Sequence, residues 1–520
     1  MLPRFLATLL ILACLPATAL AATTINGGNI INQTWTSAGS PYIVRGDIII
    51  PDGAFLSIQA GVEVQFANSD SMSSGFDTAR TELTVLGTLT VNGTQPSPVR
   101  FRAQSGTASG IWYGLVVADG AIDVSLQHAS IEHAVQAIRY GSSGSVLDTE
   151  AVEIGTASQR GVWVTAGSPV INGLNIHNVH TGILVDASAS AEIKHTSVYS
   201  TSSYGIFITA GAASGSSSIE FCSIHGPGLD GIQYNGTQSG TGALAVIATI
   251  VSSAGRYGVY RNNYGTINLS YSNVWGSGNT NLLNVASGSG NQSANPLFVS
   301  SSNLRLTANS PCRFASETGT DIGALPYISD PTPGLYGTLW SNTVLDLSGS
   351  PYTLAGDLTV GPGVTLSIQP GVELRFAVSS DLMRSGHDTA RGELRNRGNL
   401  RIEGSRSQPV KVNTSSSSNG SWYGLVLVEG SAYIRHADLG YAVQGLRIDT
   451  AIAQDLRFVS AHHCSQRGVW FTQGNHSLDG ISSFNNHTGQ LVDASAAVQL
   501  SNGLFYANSS YGVFITAANG

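Results

Sequence analysis

Small residues recur along the chain, each followed by an apolar triplet. They stand at Gly114, Ala137, Gly161, Gly182, Gly205, Gly231 and Gly258, then at Gly424, Gly445, Gly468, Gly489 and Gly512, with gaps of 21 to 27 residues. Short β-type stretches and turn residues lie between these anchors, without a sustained helical period. One such unit is too short to bury a core of its own. Stacked units can share one, so the spacing predicts an all-β solenoid with one unit per coil. In an extended strand alternate side chains face opposite sides. The first and third positions after each anchor, such as Leu115 and Val117 or Val162 and Val164, suit the interior. The second positions then face outward: Val116, Arg139, Trp163, Leu184, Phe207, Gln233 and Tyr260 in one series, Val426, Arg447, Trp470, Leu491 and Phe514 in the other.

Those two series belong to a duplication. Gly39-Ser40-Pro41-Tyr42 returns as Gly349-Ser350-Pro351-Tyr352, an offset of 310, and Ser158 to Trp163 returns as Ser465 to Trp470, an offset of 307. A proline-containing linker, Asp330-Pro331-Thr332-Pro333-Gly334, separates the copies and predicts an extended spacer. The expected organisation is a signal segment at 1–21, a first β-helix domain at 22–330 and a second at 331–520. The second copy ends where the first reaches about residue 213, and is expected to be a truncated copy.

Composition narrows the class. Charged residues are 11% of the chain against 42% hydrophobic, well under the roughly 25% charged of ordinary soluble domains. A net charge of −8 removes the broad positive field that nucleic-acid binding requires. The first residues carry one basic side chain, Arg4, then an apolar run from Phe5 to Leu15 and a small-x-small site at Ala19-Leu20-Ala21. That is an export signal, and it predicts a secreted or cell-surface protein. A lipoprotein cut before Cys14 is the alternative. No later stretch has the 18 or more apolar residues of a transmembrane helix. Cys222, Cys312 and Cys464 then remain, either as separate buried thiols or with a Cys222–Cys312 bridge.

The coils resemble the right-handed parallel β-helix of the pectin-lyase-like superfamily. Asn295-Pro296-Leu297-Phe298, Leu304-Arg305-Leu306, Asn309-Ser310-Pro311 and Asp321-Ile322-Gly323-Ala324 resemble the closing motif of bacterial secreted β-helix proteins. Leu366 to Glu373 and its counterpart at Leu56 resemble their opening coils. The resemblance implies a fold rather than a reaction, because the superfamily mixes lyases, hydrolases, epimerases, adhesins and structural proteins.

Two sets of side chains are candidate sites. The outer stripe Arg139, Trp163, Leu184, Phe207 and its repeat Arg447, Trp470, Leu491, Phe514 could stack sugar rings or dock a surface partner, with cation–π pairs between Arg139 and Trp163 and between Arg447 and Trp470. Turn loops covering the stripe are the alternative. In the opening coils, Glu63 and Glu82 are expected to stack outward on adjacent coils, with Asp77 in the loop between them; Glu373, Asp388 and Glu393 repeat the set. Ca²⁺ could bind these oxygens, or Arg80 and Arg391 could neutralise them. No cofactor is required by either reading.

Catalytic residues cannot be assigned. Lyases of the superfamily use a Lys or Arg base, but only two lysines are present, Lys194 and Lys411, and neither recurs between the copies. His180 with Asp186, repeated at His487 and Asp493, could form an acid–base pair or be turn residues. The expected function is a glycan- or partner-binding β-helix with a structural or adhesive role. A lyase or hydrolase acting on an acidic polysaccharide is the alternative.

Overall fold

A computed structural model describes residues 22–212 and 215–516; the export signal expected over 1–21 lies outside them. The chain clusters into two compact units, one of residues 22–138 and 144–158 and one of 139–143 and 159–516. Each is all-β and built as a right-handed parallel solenoid.

In the first unit the chain cycles through three parallel sheets. One sheet holds Tyr42–Val44, Glu63–Phe66 and Val99–Ala103, the next Ile48–Ile50, Glu82–Val85 and Gly114–Val117, and the third Phe55–Gln59, Thr88–Asn92 and Asp123–Gln127. Successive coils pair in register, as in Leu56↔Leu89↔Val124. All three of those residues are fully buried. At about 25 cal/mol per Å² of apolar surface, such columns supply the main drive for coil stacking.

The second unit also cycles through three parallel sheets, from Arg160–Val164 to Thr280–Leu283. The second copy follows, with one eight-stranded sheet from Gly337–Leu339 to Tyr511–Ile515. Its other two faces merge where Ser431–Gly440 and Asp455–His462 run as long strands.

The small anchors have a steric cause. A Cβ on Gly161 would lie 2.7 Å from the Gly182 carbonyl oxygen, one on Gly205 2.6 Å from that of Gly231, and one on Gly445 2.6 Å from that of Gly468. These three anchors thus sit against the backbone of the next coil, where a side chain has no room.

Polar residues inside the solenoid form hydrogen-bonded ladders, as buried polar groups must. The Cys222 N–H donates to Thr249 Oγ1 and the Thr249 N–H to Ser272 Oγ. The Cys464 N–H donates to Asn486 Oδ1 and the Asn486 N–H to Asn508 Oδ1. Cys222, Cys312 and Cys464 are free and buried, so the Cys222–Cys312 bridge does not form. Burial pushes the Cys222 and Cys464 thiols up to about 12 and Cys312 higher still.

The closing segment folds back along the coils. Leu306, Cys312 and Ile322 pack on Ala248 and Ile250, and the Ala324 N–H donates to Ser223 Oγ. The linker is not a free spacer. Thr332 Oγ1 accepts the Asn309 N–H and donates to Thr307 Oγ1, and Asp330 lies 3.6 Å from Arg305.

Candidate functional site

The outer stripe is in register, as its sequence pattern predicts. In the second copy Arg395, Val426, Arg447, Trp470, Leu491 and Phe514 stand opposite one another on successive strands. In the first, Trp163, Leu184, Phe207, Gln233 and Tyr260 do the same. The stripe is not an open aromatic ladder, however. Val426 is fully buried beneath Tyr423 and Val443, and Leu491 is 6% exposed. Val116 is likewise buried, by Tyr113 and Val135. Leu184 and Phe207 are half-buried, and Phe514 is exposed.

Each tryptophan of the stripe is half-buried and carries two arginines. Arg139 and Arg160 lie 5.2 and 4.5 Å from the Trp163 ring centroid, and Arg447 and Arg467 both lie 4.3 Å from that of Trp470. The indole N–H of Trp163 donates to Asp186 and that of Trp470 to Asp493, each at 2.9 Å. This corrects the acid–base reading of those aspartates. Asp186 and Asp493 orient tryptophans, while His180 and His487 bond the hydroxyls of their neighbours Thr181 and Thr488.

Around Trp470 the second copy gathers an ionic network. Asp449 receives the Arg447 Nε–H at 2.8 Å, the His387 ring at 3.0 Å through Nε2, and the Thr472 hydroxyl at 2.9 Å. Burial works against ionising Asp449, but these partners outweigh it and hold its carboxyl down to about 2. Arg447 also donates to the Tyr423 phenol at 2.8 Å. Burial opposes its charge as well, yet Asp449 holds the guanidinium above its ordinary value. His387 lies parallel to the Tyr423 ring, centroids 5.5 Å apart, and its Nδ1 is 3.5 Å from Glu393 Oε2. Its bond to Asp449 first, and then Glu393, raise its pKa above that of an ordinary histidine.

Arg467 differs from Arg447 and His387, and resembles Arg160, whose guanidinium donates to the amide of Gln159. The Arg467 side-chain hydrogen bond goes to the neutral amide of Gln466, and among the described residues no carboxylate forms an ion pair with it. Burial, joined by the charge of Arg447, lowers its pKa against the opposing pull of the nearby Asp493 carboxylate.

The opening-coil carboxylates do not converge as expected. Glu63 and Glu82 belong to different sheets. Glu63 pairs with Arg102 at 2.6 Å, and its counterpart Glu373 with Arg375 at 2.9 Å. Asp77 pairs with Arg80 and Asp388 with Arg391, each at 2.9 Å within the loop. Each of these arginines also donates to a carbonyl beyond the loop, Gly110 or Gly420. Glu82 and Glu393 face away from the core, opposite Leu83 and Leu394, yet are 2% and 0% exposed because the loop folds over them. Their carboxylates accept the N–H of Phe76 and of His387. The proposed Ca²⁺ ligands are therefore divided among separate ion pairs and, for Glu82, hydrogen bonds from the Phe76 N–H and the Thr84 hydroxyl. Among the described residues no cluster of three or more His, Cys, Asp or Glu is placed to hold a metal ion.

Sequence reasoning missed Asp47 and Asp70, and Asp357 and Asp381, which complete the loop's buried support. Asp357 accepts the Glu393 N–H at 2.8 Å and the Ser385 hydroxyl at 2.6 Å, and its own N–H donates to Asp381 at 3.0 Å. Burial, with the charges of Asp381 and Glu393, pushes its carboxyl well above the usual range. Asp47 is raised too, chiefly by burial. The recurrence of these acids at matching places in both copies was the available signal. Beside Asp357 a cleft of about 250 Å³ is lined by Ser385, Arg395 and Arg397, and by Gln292 and Pro311.

The coils form a parallel β-helix in which every strand pairs parallel with its counterpart in the next coil. No family model matches the sequence, and no curated protein matches it. Among solved structures, pectate lyase Pel9A aligns at 9% identity and a TM-score of 0.21, over 82% of this chain and 80% of that chain. Such a loose superposition carries no argument about activity. No helix among the described residues is long and apolar enough to cross a membrane.

Proposed function

We propose that this protein binds an acidic polysaccharide on the outer face of the second copy, in an extracellular structural or adhesive role. Arg467 carries the reading. It is a half-buried guanidinium beside Trp470 and Arg447, with a neutral amide as its hydrogen-bond partner. A uronate carboxylate supplies the bidentate partner that guanidinium geometry favours. Trp470 positions the Arg467 guanidinium, which lies 4.3 Å from its ring centroid. The net charge of −8 makes the interaction local rather than steered by the whole molecule's field.

Retention of the chain on polygalacturonate and alginate tests this, with a neutral glucan as control. Arg467→Gln is expected to weaken retention about tenfold, in line with the loss of one charge-assisted contact. Trp470→Ala should weaken it similarly with an unchanged fold by circular dichroism. Equal retention of the wild type and Arg467→Gln would reject the site.

A lyase is the second reading, favoured by one observation. Arg467 holds its proton less tightly than an ordinary arginine, the direction a general base requires. Absorbance of unsaturated uronate ends distinguishes the two, and the binding reading expects none.

A further inference from the structure

The two copies differ where the ionic network is densest. His387 stands where the first copy has Phe76, and Asp449 where it has Gly141, by the alignment that matches Ser385-Gly386 to Ser74-Gly75 and Arg447 to Arg139. Phe76 keeps the same stacked place, parallel to Tyr113 with centroids 6.2 Å apart. The second copy thus has the same loop packing, with an ionisable ring in place of an apolar one and a carboxylate facing it.

His387 faces charge on several elements. Glu393 lies on the strand Glu393–Asn396, and Asp449 follows the strand Gln444–Ile448. Arg447 and the Tyr423 phenol meet at 2.8 Å beside the ring, and Asp388 of the same loop is engaged by Arg391. Glu393 is further held by Arg395, 2.9 Å away in an ion pair, and by its backbone bond to Asp357. With both ring nitrogens directed at carboxylates, only imidazolium can donate to both. Loss of the proton turns a lone pair toward one of them and leaves Asp449 compensated by Arg447 alone among the charged groups. Arg447 is then less available to an anion beside Arg467.

We propose that His387 is a pH gate on the second copy's polysaccharide site, making it retain polyanions more strongly in acid than in alkali, and that the first copy has no such gate. This rests on the binding reading above. The protonated ring adds one positive charge beside Arg447 and ties the loop Asp381–Arg391 to the sheet. The far end of that loop is already clamped, because the Met383 carbonyl accepts the Trp275 indole N–H and the Asn295 N–H at 2.9 and 3.0 Å. Met383 itself is 2% exposed, whereas Met72 in the first copy is 48% exposed. His387 therefore governs the end of the loop nearest the arginines.

The test measures retention of the full chain on immobilised polygalacturonate from about pH 5 to about pH 8.5, a range in which uronate carboxylates stay ionised. Wild-type retention is expected to fall about fivefold across the range, the size of one nearby charge partly screened by solvent. His387→Phe, which installs the residue already accommodated in the first copy, is expected to bind at the wild type's alkaline level throughout. An unchanged slope in that variant would overturn the gate while leaving the binding site standing.

If the wild type binds polygalacturonate at no pH, the binding reading fails. The gate is then judged in the free protein, by NMR titration of His387 identified from the His387→Phe difference. A value above the ordinary histidine range that returns toward it in Asp449→Asn supports the ion bridge. A value at or below that range overturns it.

Discussion

Asp357 and His387 make the stability of the second copy depend on pH in the same direction. Both hold their protons more tightly in the fold than in the unfolded chain. Their contribution is complete below their unfolded values and is lost as pH rises through their raised folded values. Asp449 acts oppositely. Held down to about 2, it contributes above the ordinary carboxylate range and loses that contribution only in strong acid. Thermal stability is thus expected to decline from mildly acidic to alkaline pH. Asp357→Asn should flatten that decline and raise Tm at alkaline pH by about 2–4 °C, the shift expected for ~1 kcal/mol in a unit of this size. The amide oxygen can still accept the Glu393 N–H, and the Ser385 hydroxyl can turn to accept from the amide nitrogen. A scanning-calorimetry series across pH in which Asp357→Asn parallels the wild type would show that the buried proton contributes nothing. Glu393 was legible in the sequence, but its burial was not. Only the folded loop covers it.

At the scale of the strand and coil, the anchor glycines carry the strictest requirement. Gly424 has φ +148°, and a Cβ there would fall on the Gln444 carbonyl oxygen of the next coil. Gly424→Ala combines a strained backbone with a backbone clash, and is expected to cost about 2–4 kcal/mol. Denaturant unfolding would show it as a lowered midpoint; an unchanged midpoint would mean the coils separate without penalty. This column was readable from spacing because close backbone approach tolerates only small residues. The corners were less readable. Left-handed backbone occurs at Phe221, Ala248 and Tyr271, residue types that do not announce it. The outer stripe shows the same limit. Alternation located Trp163 and Trp470 on the outer face and set Arg139 and Arg447 beside them, but could not show that Tyr423 and Val443 bury Val426 or that Arg160 and Arg467 bring a second guanidinium to each ring.

Across the whole molecule the solenoid interior should be closed to solvent species. All three described thiols are buried, with Cys222 and Cys464 pushed up to about 12, so little thiolate exists at neutral pH. A soluble aromatic disulfide should leave them unreacted in the native chain from residue 22 onward and label all three in denaturant. Native labelling faster than global unfolding would reveal coils that open locally. The duplication was evident from sequence, and so was the solenoid, because a 21- to 27-residue period leaves few other ways to bury the apolar columns. Reading which strands stack and which face is outward required only the local period of a β-strand. The ion pair of Glu63 with Arg102, the loop over Glu393 and the meeting of His387 with Asp449 depend on residues from different coils. Their proximity depends on turn lengths and side-chain packing, which no local period encodes. The sequence by itself therefore determined the repeating architecture, and tertiary structure alone decided which charges meet across coils.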